Sequence, residues 1–127
     1  MAGSSISIGR AGEYFAAYVL ETHDVEVHHV DRSSADLWCR VRGSLSTVQV
    51  KSSRSPRQSG EGRKPRYFYH TPSVVVDWYC FVALDRQLLL MRPCSLVLSK
   101  TTSFVPLEFN EANQRRTVEE FLGSFSA

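Results

Sequence analysis

Asp36, Gln49 and Lys51 fall on alternate positions of two neighbouring strand-like runs, and Glu13 is the strongly polar residue inside an amphipathic stretch near the start. Successive side chains of a strand alternate sides, so an acid, an amide and an amine at this spacing can share one face of a hairpin. Such a set suits a hard cation. Mg²⁺ prefers oxygen ligands and keeps several waters, so one or two carboxylates, an amide oxygen and a backbone carbonyl such as that of Val50 are sufficient to hold it. Substrate phosphate supplies the missing negative charge. Beside the ion a coordinated water becomes a stronger nucleophile and charge developing on phosphate is neutralised, while Lys51 can orient the water or steady the transition state. The chemistry these residues fit is phosphodiester hydrolysis.

Several elements must position them. Ile8, Ala11, Gly12, Phe15 and Val19 recur at helical spacing, which predicts a helix over Ser5 to Glu21 with Ser4 or Ser5 as its cap. Val25 to Val30 alternates as a strand and runs into a polar turn, Asp31 to Ser34. Asp36 to Arg42 and Leu45 to Lys51 then flank Gly43-Ser44, and glycine at the first central position predicts a type II′ turn. In that register Arg42 pairs with Leu45, so Asp36 stands across from Lys51 and diagonal to Gln49. Trp78 to Leu84 and Gln87 to Met91 read as a second hairpin across Asp85-Arg86, and Tyr67 to His70 as aromatic residues entering the core. Val118, Phe121, Leu122 and Phe125 fall on one helical face, predicting a closing helix at about 111–125, with Thr117 and Glu120 as a capping box. No repeat and no dividing linker is visible, so residues 1–127 read as a single domain.

The net charge of +2 conceals an uneven distribution. Between Arg40 and Arg66 eight basic residues face one acid, Glu61, a local net of +7, and the remainder carries −5. Such asymmetry points to a polyanionic partner. From Ser52 to Arg66 no apolar residue occurs, which reads as an exposed loop or flexible arm. The residues expected to meet the polyanion are Arg40, Arg42, Ser52, Arg54, Arg57, Arg63, Lys64 and Arg66. Cys39, Cys80 and Cys94 sit among apolar residues without metal-ligand spacing and read as reduced thiols. His28 and His29 point to opposite faces of a strand, which disfavours a shared zinc ion. Neither a secretion signal nor a membrane span is apparent, so the expected compartment is the cytoplasm.

A QxK triplet alone is ordinary on a half-exposed hairpin. Joined to Gly12-Glu13 on the first helix and Asp36 at the start of the second strand, Gln49-Val50-Lys51 resembles the PD-(D/E)XK nuclease superfamily in its variant with glutamine at the acid position. The pattern is most similar to homing endonucleases of bacteria and phages associated with group I introns, with Asp77-Trp78-Tyr79 and Glu111-Ala112-Asn113-Gln114 extending it. The resemblance implies an α/β fold, an αβββαβ core whose mixed central sheet is flanked by helices. It implies a metal-dependent endonuclease acting on double-stranded DNA, with Glu13, Asp36, Gln49 and Lys51 catalytic. The implied cofactor is Mg²⁺, with Mn²⁺ able to substitute, held by Asp36, Glu13, Gln49 and the Val50 carbonyl. The expected partners are duplex DNA and further copies of the chain, as a homodimer or homotetramer. Asp31 is an alternative acid five residues before Asp36. Two other functions share the sequence features: a Holliday-junction resolvase, and a nucleic-acid-binding module without catalysis.

Overall fold

The computed structural model describes residues 5–30 and 35–125. Helix α1 (Ser5–Glu21) matches the predicted span; Asp31 and the proposed serine cap lie outside or at the limit of the described side chains. Ala16, Ala17, Val19 and Leu20 form its buried stripe. It ends where Asp24 takes a left-handed φ of 64° and the Val25 N–H returns to the Leu20 carbonyl at 3.2 Å.

Strands β1 (Glu26–His29), β2 (Leu37–Val41), β3 (Ser44–Ser53), β5 (Trp78–Ala83) and β6 (Leu88–Pro93) form one sheet in the order β1-β2-β3-β5-β6. Every neighbouring pair is antiparallel except β3 and β5. A parallel pair needs a long crossover. Residues 54–77 provide it through the basic segment and strand β4 (Tyr67–His70), without the helix that an αβββαβ order places there. Strand β4 pairs with β7 (Thr101–Phe104) as a separate two-stranded sheet, and helix α2 (Glu111–Gly123) closes the chain.

Alternation along the strands gives the main sheet two buried faces. Leu37, Cys39, Val48, Val50, Cys80, Val82 and Met91 pack beneath α1 and α2. Tyr79, Phe81, Ala83 and Leu90 pack against Tyr67, Tyr69, Phe104 and Phe109. Tyr67 and Tyr69 thus enter the core as expected. Burying each large apolar side chain contributes about 1.5–3 kcal/mol, so the all-buried strand β5 anchors the fold.

Two local expectations are corrected. The β2–β3 turn is Arg42-Gly43, with φ of 50° and 85°, the signature of a type I′ turn, and Val41 pairs with Ser44. The register therefore moves by two residues, which keeps each side chain on its expected face but changes its partner. Thr117 is not a cap. Helix α2 starts at Asn110, whose side chain accepts the Asn113 N–H at 2.8 Å, and Thr117 lies buried within it. There its hydroxyl accepts the Met91 N–H at 3.0 Å, while Gln114 Oε1 accepts the Leu89 N–H at 2.9 Å. Side chains of α2 thereby satisfy the outer edge of β6. Among the described residues no helix is long and apolar enough to cross a membrane.

Candidate active site

Strand β3 outruns β2. Its pairing with β2 ends at Leu37↔Val48, whereas its pairing with β5 continues to Ser53↔Ala83. Asp36 occupies the corner. Its N–H donates to the Val48 carbonyl at 2.9 Å, and its Oδ2 accepts the Val50 N–H at 2.8 Å. One carboxylate oxygen is thus committed to holding the strand end. The N–H and C=O of one strand residue point to the same edge, so the Val50 carbonyl faces the Asp36 side of β3.

One step before the Leu37↔Val48 pair, Asp36 forms a bend: its N–H faces β3, its carbonyl accepts the Val30 N–H, and its carboxylate meets the backbone of β3 at Val50, between Gln49 and Lys51. The expected cross-strand partners change, because the two-residue turn begins one residue earlier and slides the two strands by two residues. Gln49 and Lys51 keep their shared face, since a two-residue slide preserves sidedness, and Asp36 reaches the same stretch of β3 through the Val50 N–H. Gln49 and Lys51 neighbour Tyr79 and Phe81 of β5, an apolar flank. Burial there pushes the Lys51 amine below the usual lysine range, and the Asp36 charge opposes the shift.

Gln49 Oε1 is buried and has no hydrogen-bond partner among the described residues. An orphaned buried amide oxygen carries a desolvation penalty of about 1–3 kcal/mol, which a ligand at that oxygen would relieve. Among the described residues no three His, Cys, Asp or Glu side chains form a cation site. The oxygens gathered here, one carboxylate, one amide and one carbonyl, fit a hard cation that retains water and not a thiolate- or imidazole-bound metal.

Glu13 is held at this end of β3 by its neighbour. A Cβ added to Gly12 would lie 1.6 Å from Ser52 Oγ and 3.7 Å from Val50 Cγ1, so α1 touches β3 there at backbone distance. Glu13 is half-buried one residue further on. Sequence reasoning placed Gly12 in the helical repeat and beside Glu13 in the motif, but not at a close approach of helix and strand. Its signal was a glycine inside a helix, which lowers helix stability and so marks a close approach. Asp31, the alternative acid, lies outside the described residues.

The basic band divides. Arg54, Arg57, Arg63 and Lys64 are exposed on the segment leaving the C-terminal end of β3, beside Lys51. Arg40 and Arg42 lie toward the opposite end of the β2–β3 hairpin; Arg42 is six residue steps from Asp36, about 20 Å along an extended chain. Ser52 does not face outward: its hydroxyl is buried and unpartnered beneath Gly12, on the α1 side of the sheet. Arg66 is half-buried and donates from Nε to Ser103 Oγ at 3.0 Å. The segment is not a loose arm, because Arg57 and Arg66 form an antiparallel bridge across its base. Its root is tied down too: the Arg54 carbonyl accepts the Asp85 N–H at 3.2 Å, and Asp85 accepts the Tyr67 hydroxyl at 2.7 Å.

The remaining candidates are structural. Burial raises the Cys39 thiol to about 12 and raises Cys80 as well, so both stay protonated and unreactive. His28 pairs with Glu26 at 2.6 Å and His29 lies against Tyr14.

No protein-family model and no curated protein matches the sequence. The fold is similar to a solved structure, that of the bacterial homing endonuclease I-Ssp6803I. The TM-score is 0.70 at 18% sequence identity, covering 96% of this chain and 99% of that one.

Proposed function

We propose that this chain is a Mg²⁺-dependent endonuclease of PD-(D/E)XK type that hydrolyses phosphodiester bonds of double-stranded DNA at chosen sites, as a homing endonuclease does. The observation that carries this reading is the buried, unpartnered Gln49 Oε1 beside the Asp36 carboxylate and the Lys51 amine. Similarity in fold to a bacterial homing endonuclease supports it over nearly the whole chain.

Asp36, through the oxygen not committed to Val50, would hold the ion with Gln49 Oε1, the Val50 carbonyl and Glu13. When bound, the ion supplies Lewis acidity to a phosphate oxygen and acidity to a water. Lys51 Nζ donates toward the charge that develops on the phosphate. Because Asp36 Oδ2 is fixed by the Val50 N–H, the carboxylate is held in place without a rotamer search. Arg54 contacts the DNA backbone, and the positive charge of the segment as a whole draws the duplex alongside, an attraction that weakens with salt. Both strands of a duplex are cut by two sites related by symmetry, which one small chain supplies through self-association, as a homodimer or homotetramer.

The test is incubation of the purified chain with supercoiled plasmid and Mg²⁺, then with EDTA. Metal-dependent nicking and linearisation are expected. Salt-sensitive retardation of the plasmid without cuts would overturn the enzymatic reading and leave a DNA-binding module.

A further inference from the structure

The cations of the 54–66 segment fall into two groups by how they are held. Arg57 and Arg66 exchange backbone N–H to carbonyl bonds in both directions, at 2.9 and 3.0 Å. The Arg57 guanidinium lies 4.9 Å over the Phe68 ring, and Arg66 donates to Ser103 Oγ and to the Ser103 carbonyl, at 3.0 and 3.4 Å. These two side chains are struts. Beyond the bridge, residues 58–65 are exposed throughout and reverse through the Arg63 N–H to Gly60 carbonyl bond at 3.1 Å, with Gly62 at φ 75°. The outcome is an exposed loop pinned into a narrow ribbon only at its base by this bridge; it carries Gln58 beside the bridge, Glu61 and Arg63 at the reversal, and Lys64.

At the bridge the two segments lie about 5 Å apart, and four residues in extended form reach at most about 13 Å beyond it. The major groove of B-DNA is about 12 Å wide and about 8.5 Å deep, and it admits a two-stranded β-ribbon. Glu61 decides between backbone contact and base contact. It is the one acid within the +7 band, and it sits at the tip. Against phosphates it is repulsive, but on the groove floor a carboxylate accepts from the cytosine amino group. There Arg and Lys match guanine and Gln matches adenine.

We propose that Gln58, Glu61, Arg63 and Lys64 read base edges in the DNA major groove, while Arg57 and Arg66 brace the ribbon that carries them. This rests on the duplex-DNA endonuclease reading above. The major groove of A-form RNA is too narrow for side chains to read, so the partner is DNA.

The test uses the full chain carrying Lys51→Ala, so that bound DNA stays intact, in a selection from randomised DNA duplexes. The parent is expected to enrich a preferred sequence. Glu61→Ala and Arg63→Ala should each relax discrimination at one or two base positions by about 5- to 150-fold. Glu61→Ala should also bind an arbitrary duplex as tightly as the parent or more tightly, because a repulsive charge is gone. Arg57→Ala should weaken the preference at all positions together. Duplex binding with an unchanged preferred sequence in both tip variants, or with no preferred sequence in the parent, overturns the tip assignment and leaves the endonuclease reading standing. Equal enrichment from duplex RNA also overturns it. Absence of any duplex binding by the parent removes the endonuclease reading and this one with it.

Discussion

Removing the Lys51 amine or the Asp36 carboxylate should abolish cleavage while leaving DNA binding largely intact. Loss of a preorganised donor at a developing charge lowers kcat by about 100- to 1,000-fold, so Lys51→Ala should leave almost no plasmid nicking while gel retardation persists. Cleavage retained by both variants would exclude the assigned roles. Lys51 also carries a titration prediction. Burial disfavours its charged form and Asp36 opposes that, so Asp36→Asn should lower the Lys51 titration midpoint further, as read by NMR of labelled lysine side chains. A midpoint unchanged by the substitution would mean that the carboxylate does not act on the amine. The linkage to stability follows the same sign. The folded chain holds this proton less tightly than the unfolded chain does, so the Lys51 contribution to stability rises with pH in the window below 10.5.

Helix α1 reaches the active end of β3 only because residue 12 has no side chain. Gly12→Ala forces a methyl group against Ser52 Oγ and should destabilise the fold by about 1–3 kcal/mol, the usual range for overpacking, as measured by urea denaturation. Pairing it with Ser52→Gly should recover part of that loss, since the clash involves both Oγ and Cβ of the serine. No recovery would place the strain elsewhere. At the outer edge of β6, Thr117→Val removes the acceptor for the buried Met91 N–H. It should cost about 1–3 kcal/mol and speed hydrogen exchange at the Met91 amide. These elements were unequally legible in the sequence. Alternating apolar residues revealed the strands and their faces, because sidedness survives a two-residue slide. Register did not follow, since Arg42 holds a positive φ that non-glycine residues uncommonly adopt, and Gly43-Ser44 carried the stronger local signal. Strand β7 was invisible for another reason: Thr101–Phe104 is short, and it pairs only with a distant strand.

At the scale of the molecule, the proposed single site per chain predicts that cutting both strands of a duplex requires association. Sedimentation should show a dimer or tetramer, and dilution below its dissociation range should turn linear plasmid product into nicked circles. A monomer that linearises plasmid at every concentration would exclude this. The placement of the candidate residues Gln49 and Lys51 on one face was legible from strand parity alone, whereas the bend at Asp36, the inward turn of Ser52 and the separation of Arg40 and Arg42 depend on packing and on chain direction. The same sheet also governs solubility. Unpaired strand edges invite pairing with other chains. The β6 edge is occupied by Gln114 and Thr117 of α2, and at the other margin β1 is four residues long with Glu26, His28 and His29 exposed. Helix α2 is therefore a shield against aggregation as well as a wall of the core. A chain shortened before Asn110 should lose solubility through β6, and a newly made chain stays vulnerable to self-pairing until this last helix has docked.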